Sequence, residues 1–208
     1  MNFPFTVGYG MTECAPIITY DDWKEEKLYS CGKAAPNMEV RIASADPVNK
    51  PGEIQIKGAN VFLGYYKNEE ATAEVLTEDG WFRTGDMGVL DADGSLFIKG
   101  RTKCMILGPS GQNIYPEEVE TVLNSQQYVV DSLVVEDNGG LTALIYPDFP
   151  QGAKDGMKQD AFVKYMEDRL SEWNSILPNY ARLKKVEVMS EDFERTPKKS
   201  IKRYLYQR

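Results

Sequence analysis

A chain of 208 residues, 42% hydrophobic and 27% charged, can bury one large core or two small ones, and its composition fits neither a disordered segment nor a disulfide scaffold. It contains no histidine, which excludes Ser-His-Asp and Cys-His couples, imidazole general bases and His-ligated zinc. With 32 Asp+Glu against 24 Lys+Arg, the net charge of −8 excludes a nucleic-acid-wrapping surface over the chain as a whole.

In chain order, Met38–Ile42 and Glu53–Lys57 alternate apolar and polar side chains at period 2, the pattern of half-buried strands. Asn68–Leu76 reads as a short helix opened by an Asn cap and an acidic first turn. Val89-Leu90 and Ser95–Lys99 flank Asp91-Ala92-Asp93-Gly94, a hairpin loop. Short strands punctuated by Gly and Pro predict a small β-barrel-like subdomain over residues 1–101.

From residue 102 the period changes, and residues 102–208 read as a compact α+β domain. Pro116 opens a helix whose apolar stripe is Val119, Val122 and Leu123. Val129–Glu136 and Leu141–Tyr146 are strands joined by Asp137-Asn138-Gly139-Gly140. Gly152–Met157 reads as loop, Gln159–Ser175 as the longest helix, and Lys185–Met189 as a last strand. The fold class is therefore α+β. No apolar run approaches the roughly 20 residues that span a bilayer. Cys14, Cys31 and Cys104 form no C-x-x-C pair, which points to a reducing, cytoplasmic setting.

Four segments carry chemistry-bearing side chains. Tyr9-Gly10-Met11-Thr12-Glu13 sets an aromatic face, a backbone open to close approach, a hydroxyl and a carboxylate within five residues. Such a set can stack a base, bind a phosphate oxygen and hold Mg²⁺; the plain alternative is a strand-end turn. Gly80–Asp86 ends in a carboxylate able to accept both hydrogens of a ribose diol, or to serve only as a turn residue. Gly100-Arg101-Thr102-Lys103, followed by the Gly-rich stretch Gly108–Asn113, lies where the texture changes and reads as an inter-domain linker. Residues 195–208 hold Arg195, Lys198, Lys199, Lys202, Arg203 and Arg208 without an acid: a solvated basic tail, a weak nucleic-acid patch, or a source of a mobile Lys for a phosphoryl transition state.

The order of Tyr9–Glu13, Gly52–Thr72, Gly80–Asp86, Gly100–Leu107 with Gly111–Glu120, and Thr196–Arg203 resembles the C-terminal part of the adenylate-forming superfamily. Residues 106–120 and 202–206 are most similar to bacterial long-chain fatty acyl-CoA ligases. The resemblance implies a two-step reaction in which fatty acid and ATP form acyl-AMP, and coenzyme A then displaces AMP. An aryl or amino acid as substrate, and a non-catalytic module on the same scaffold, are the alternatives. By position, Tyr9 would stack on adenine, Gly10 would lie at the nucleotide, Thr12 would contact the α-phosphate, Glu13 would help hold Mg²⁺, and Asp86 with Arg101 would bind the ribose. Lys103 would be the hinge of a small mobile domain, and Gly111 would lie on the loop lining the pantetheine tunnel.

Two departures follow from the same comparison. The family carries a phosphate loop well upstream of the Tyr9 motif, whereas this chain starts eight residues before Tyr9. The chain is therefore expected to be a fragment of a larger ligase, peripheral to membranes if at all, unable by itself to form acyl-AMP and prone to self-association through apolar surface. The family also ends on Thr-Pro-x-Gly-Lys, an apolar residue, x and Arg. Aligned on Thr196, Pro197, Ile201 and Arg203, the lysine position is Ser200, and Lys199 is the expected substitute for the adenylation step.

Overall fold

The computed structural model describes residues 4–25, 27–109 and 111–208. The chain divides into two compact units, Met1–Lys103 and Cys104–Arg208.

The first unit holds two antiparallel sheets. One is small: β1 (Gly8–Gly10), β2 (Ile17–Tyr20) and β3 (Lys33–Ala34), in that order. The other is a meander of β4 (Met38–Ala43), β5 (Gly52–Gly58), β6 (Phe82–Leu90) and β7 (Leu96–Arg101). The barrel-like subdomain is open: β4 and β7 remain edges and do not pair among the described residues. Tyr9, Ile18, Ile42, Ile54, Ile56, Phe82 and Leu96 form one core shared by both sheets. The helix α1 (Glu69–Val75) starts where Asn68 accepts a hydrogen bond from the Ala71 amide, behind two acidic residues that favour a helix N-terminus. β1 to β3 have two to four residues each, too few for a period-2 signal, and escape the sequence pattern.

The second unit opens with a minimal hairpin, β8 (Ile106–Leu107) and β9 (Asn113–Ile114), and continues into α2 (Pro116–Asn124). β10 (Val129–Asp137) and β11 (Gly140–Pro147) are antiparallel, joined through Asn138 and Gly139 at φ 51° and 71°, the left-handed pair a two-residue hairpin requires. β12 (Leu183–Val188) pairs parallel to β11, so the chain must cross over, and α3 (Phe149–Lys154) and α4 (Ala161–Ile176) form that crossover. Here the structure corrects the start of the loop expected at Gly152–Met157, where Gly152–Lys154 close α3 and Asp155–Met157 lie beyond it. Asp148 caps α3 by accepting from the Gln151 amide at 2.9 Å, and Gly152 lies so close to Phe162 that a Cβ would sit 2.2 Å from the ring.

The sheet of this unit is covered on both faces. Val134, Ala143, Ile145 and Val186 pack with Phe162, Met166 and Trp173 of α4, whereas Leu133, Val135 and Leu144 meet Phe193 from the C-terminal segment. Period-2 alternation along β10 thus feeds two cores. The cationic tail is corrected as well: most of its charges are paired. Arg195 meets Asp131 at 2.7 Å, Lys202 meets Glu194 at 3.1 Å and Arg208 meets Asp137 at 3.0 Å, while Arg203 forks onto Glu120. Lys198 and Lys199 have no ion pair among the described residues.

Candidate functional site

In the first unit, the backbone aims Asp86. β5 and β6 pair at Glu53↔Met87 and again at Gln55↔Arg83, so Thr84, Gly85 and Asp86 oppose the single residue Ile54. Gly85, at φ 72°, supplies the left-handed step this bulge needs. Thr84 fixes it, its hydroxyl donating to the Ile54 carbonyl at 2.8 Å and accepting from the Asp86 amide at 3.1 Å. Across the ladder Asp86 faces Arg101, whose Nε lies 3.0 Å from Oδ1.

Tyr9 completes the cluster from the other sheet. Its hydroxyl donates to Asp86 Oδ2 at 2.6 Å, across 77 residues of sequence. Gly10 lets β1 approach β2 closely, since a Cβ there would fall 2.0 Å from the Pro16 carbonyl oxygen. Tyr9 is only 8% exposed and packs in the shared core, which leaves little of its ring face free for stacking. Burial first, then the bond to Asp86, push the phenol well above its ordinary range, so it remains a donor.

Thr12 is exposed on a single 3-10 turn, and Glu13 beside it is half-buried. Tyr65 donates to Glu13 Oε1 at 3.1 Å, which leaves the other oxygen open. Among the described residues no group of three or more Cys, Asp or Glu is placed to hold a metal. The thiols are no nucleophiles in waiting: burial raises all three, Cys104 to about 11. Lys103 is exposed in the 3-10 turn Thr102–Cys104, at the division between the units.

In the second unit, Gly111 occupies the left-handed region (φ 79°) with open space around it; Ser110 of the same Gly-rich loop lies outside the described residues. Gly108, Pro109 and Gln112 of this loop help line a cavity of about 800 Å³ together with Tyr180 and Arg182. At the C-terminus, the Thr196 amide donates to the Ser200 carbonyl and the Lys199 amide to the Thr196 carbonyl, both at 2.8 Å. Arg195 and Ile201 pair just outside, so 197–199 is a three-residue hairpin loop whose last position is left-handed. Lys199 occupies that position at φ 65°, and both Lys199 and Ser200 are exposed. Arg195 grips the turn, its Nη1 donating to the Lys199 carbonyl at 3.3 Å while Nη2 holds Asp131. The pairing of Tyr65 with Glu13, and of Arg195 with the Lys199 carbonyl and Asp131, is not readable from sequence, because each acts on a residue placed by the fold.

Residues 1–66 match the family model described as AMP-binding enzyme, and residues 105–208 match the AMP-binding enzyme C-terminal domain. A long-chain-fatty-acid–CoA ligase of Yersinia pestis is 42% identical over 134 residues, covering 62% of this chain and 23% of that protein. A 2-methylpropanoate–CoA ligase of Humulus lupulus is 30% identical over 227 residues, covering 99% of this chain and 39% of that protein. The solved O-succinylbenzoate coenzyme A synthetase of Bacillus subtilis, in complex with ATP and magnesium ion, superposes with a TM-score of 0.81 at 29% identity, over 97% of this chain and 41% of that one. The chain thus spans about two fifths or less of the length of these three proteins.

Proposed function

The chain belongs to the AMP-binding, adenylate-forming enzymes, and from that membership we propose that the protein carrying it joins a carboxylic acid to coenzyme A, using ATP. The observation that carries this reading is the Asp86 carboxylate, 6% exposed and held on one oxygen by Tyr9 and on the other by Arg101. Each oxygen keeps accepting capacity, so the pair can take both hydroxyls of a ribose. The similarity of residues 106–120 and 202–206 to long-chain fatty acyl-CoA ligases supports a fatty acid as the substrate. The relatives, named for a long-chain fatty acid, 2-methylpropanoate and O-succinylbenzoate, span several acids.

In the first step a carboxylate oxygen bonds to the α-phosphorus of ATP as the bond to pyrophosphate breaks. In the second, the coenzyme A sulfur bonds to the acyl carbon and AMP leaves with its oxygen. Carboxylates are weak nucleophiles, so the protein's work is positioning and charge neutralisation. Thr12 would donate to an α-phosphate oxygen. Glu13 fits Mg²⁺, which binds through one or two carboxylates together with substrate phosphates, and when bound the ion would offset phosphate charge. Lys199, on its clamped turn, would bring the positive charge for adenylation. Lys103 would be the hinge, and the cavity beside the Gly111 loop is where we place coenzyme A. One observation favours a second reading, a non-catalytic module: Ser200 stands where the family has lysine.

In the full-length protein that carries this chain, Asp86→Ala should raise KM for ATP about tenfold or more and erase preference for ATP over 2′-deoxy-ATP. An unchanged preference would remove Asp86 from the ribose site.

A further inference from the structure

The hydroxyl of Tyr9 donates to Asp86 Oδ2 at 2.6 Å, while the ring around it is packed among the side chains of the shared core. Asp86 has two anchors of different kinds. Arg101 reaches Oδ1 from the neighbouring strand with a side chain that is 65% exposed, so solvent competes for it. Tyr9 reaches Oδ2 from a different sheet, buried at both ends of the bond, through a stiff side chain with two torsions. The rigid anchor is therefore the phenol.

We infer that Tyr9 is a positioning residue for ribose recognition, acting through its hydroxyl on the Asp86 carboxylate. The inference rests on the ribose reading of Asp86. A carboxylate held at Oδ2 presents its remaining lone pairs in one direction, so the two ribose hydroxyls meet acceptors already oriented. Without the phenol, Asp86 can rotate about its terminal torsion, a broad two-fold well, and Arg101 can follow it toward solvent. The carboxylate would still be present but would no longer distinguish a diol from a single hydroxyl as sharply. The core packing of the ring would persist in a phenylalanine.

The test compares ATP with 2′-deoxy-ATP and 3′-deoxy-ATP as substrates for pyrophosphate exchange by the full-length protein, in wild type, Tyr9→Phe and Asp86→Ala, with a thermal melt of each. Tyr9→Phe is expected to lower kcat/KM for ATP and leave that for the deoxy nucleotides nearly unchanged, shrinking the preference about tenfold with the fold intact. Equal loss for all three nucleotides would overturn the inference, because the hydroxyl would then serve only packing. Full preference in Tyr9→Phe beside lost preference in Asp86→Ala would also overturn it, leaving the ribose reading standing. Unchanged preference in both variants would overturn the ribose reading and this inference with it.

Discussion

Replacing Lys199 with glycine should lower acid-dependent pyrophosphate exchange about 100- to 1000-fold, the loss typical when one preorganised charge is removed from a transition state. The fold should not suffer. Lys199 sits at φ 65°, in the left-handed region where a non-glycine residue costs about 1 kcal/mol, so glycine there should hold or raise the melting temperature. That opposition separates loss of charge from loss of structure. Lys198→Ala, on the neighbouring exposed lysine, is expected to change exchange far less. Combining Lys199→Gly with Ser200→Lys recreates the family's Gly-Lys order on the same turn and should restore the first step. Thioester formation from preformed acyl-AMP should be little affected throughout. Unaltered exchange in Lys199→Gly would show that another group carries the charge.

The second large effect concerns what anchors the segment after that turn. Arg203 forks onto Glu120, with Nη1 donating to Oε1 at 2.8 Å, and the Val134 amide donates to the same oxygen at 2.7 Å. The Glu120 side chain is 9% exposed and Arg203 23%, so Arg203→Met leaves a buried carboxylate with a single backbone donor. Breaking such a pair from one side costs about 3 kcal/mol. Burial already raises Glu120 above the ordinary carboxyl range despite the opposing pull of Arg203 and the Val134 amide. Loss of Arg203 raises it further. A carboxyl raised in the folded state contributes most below its unfolded value and loses that contribution as pH rises through the folded value. The deficit of Arg203→Met in denaturant unfolding should thus be larger above the ordinary carboxyl range than within it. A deficit that grows on acidification instead would contradict this account of the pair.

Much of this architecture is readable from local pattern. Asn68 before two glutamates marks α1, Pro116 with its apolar stripe marks α2, and Asn138-Gly139 between apolar runs marks the β10–β11 hairpin. These signals are local because the physics behind them is local: caps, fixed φ values and side-chain period. What escapes is decided at a distance. β1 to β3 are too short to show a period, and α3 hides in a stretch rich in Gly and Pro whose cap is Asp148. A row of bases at 195–208 reads as a free cationic tail until acids on α2, β10 and β12 are seen to meet it. That pairing singles out Lys198 and Lys199 by removing their neighbours from consideration. Similarly, Tyr9, Asp86 and Arg101 belong to separate motifs in sequence, and only the packing of two sheets joins the phenol to the carboxylate.

The central claim, that this chain handles the nucleotide in an acid–coenzyme A ligase, is tested most directly by exchange of labelled pyrophosphate into ATP by the full-length protein, measured across a panel of carboxylic acids. Exchange that requires Mg²⁺ and a fatty acid, continues without coenzyme A and collapses in Asp86→Ala is the predicted result. Absence of exchange with every acid in wild-type protein that is folded and binds ATP would contradict the claim and favour the non-catalytic reading that Ser200 suggests.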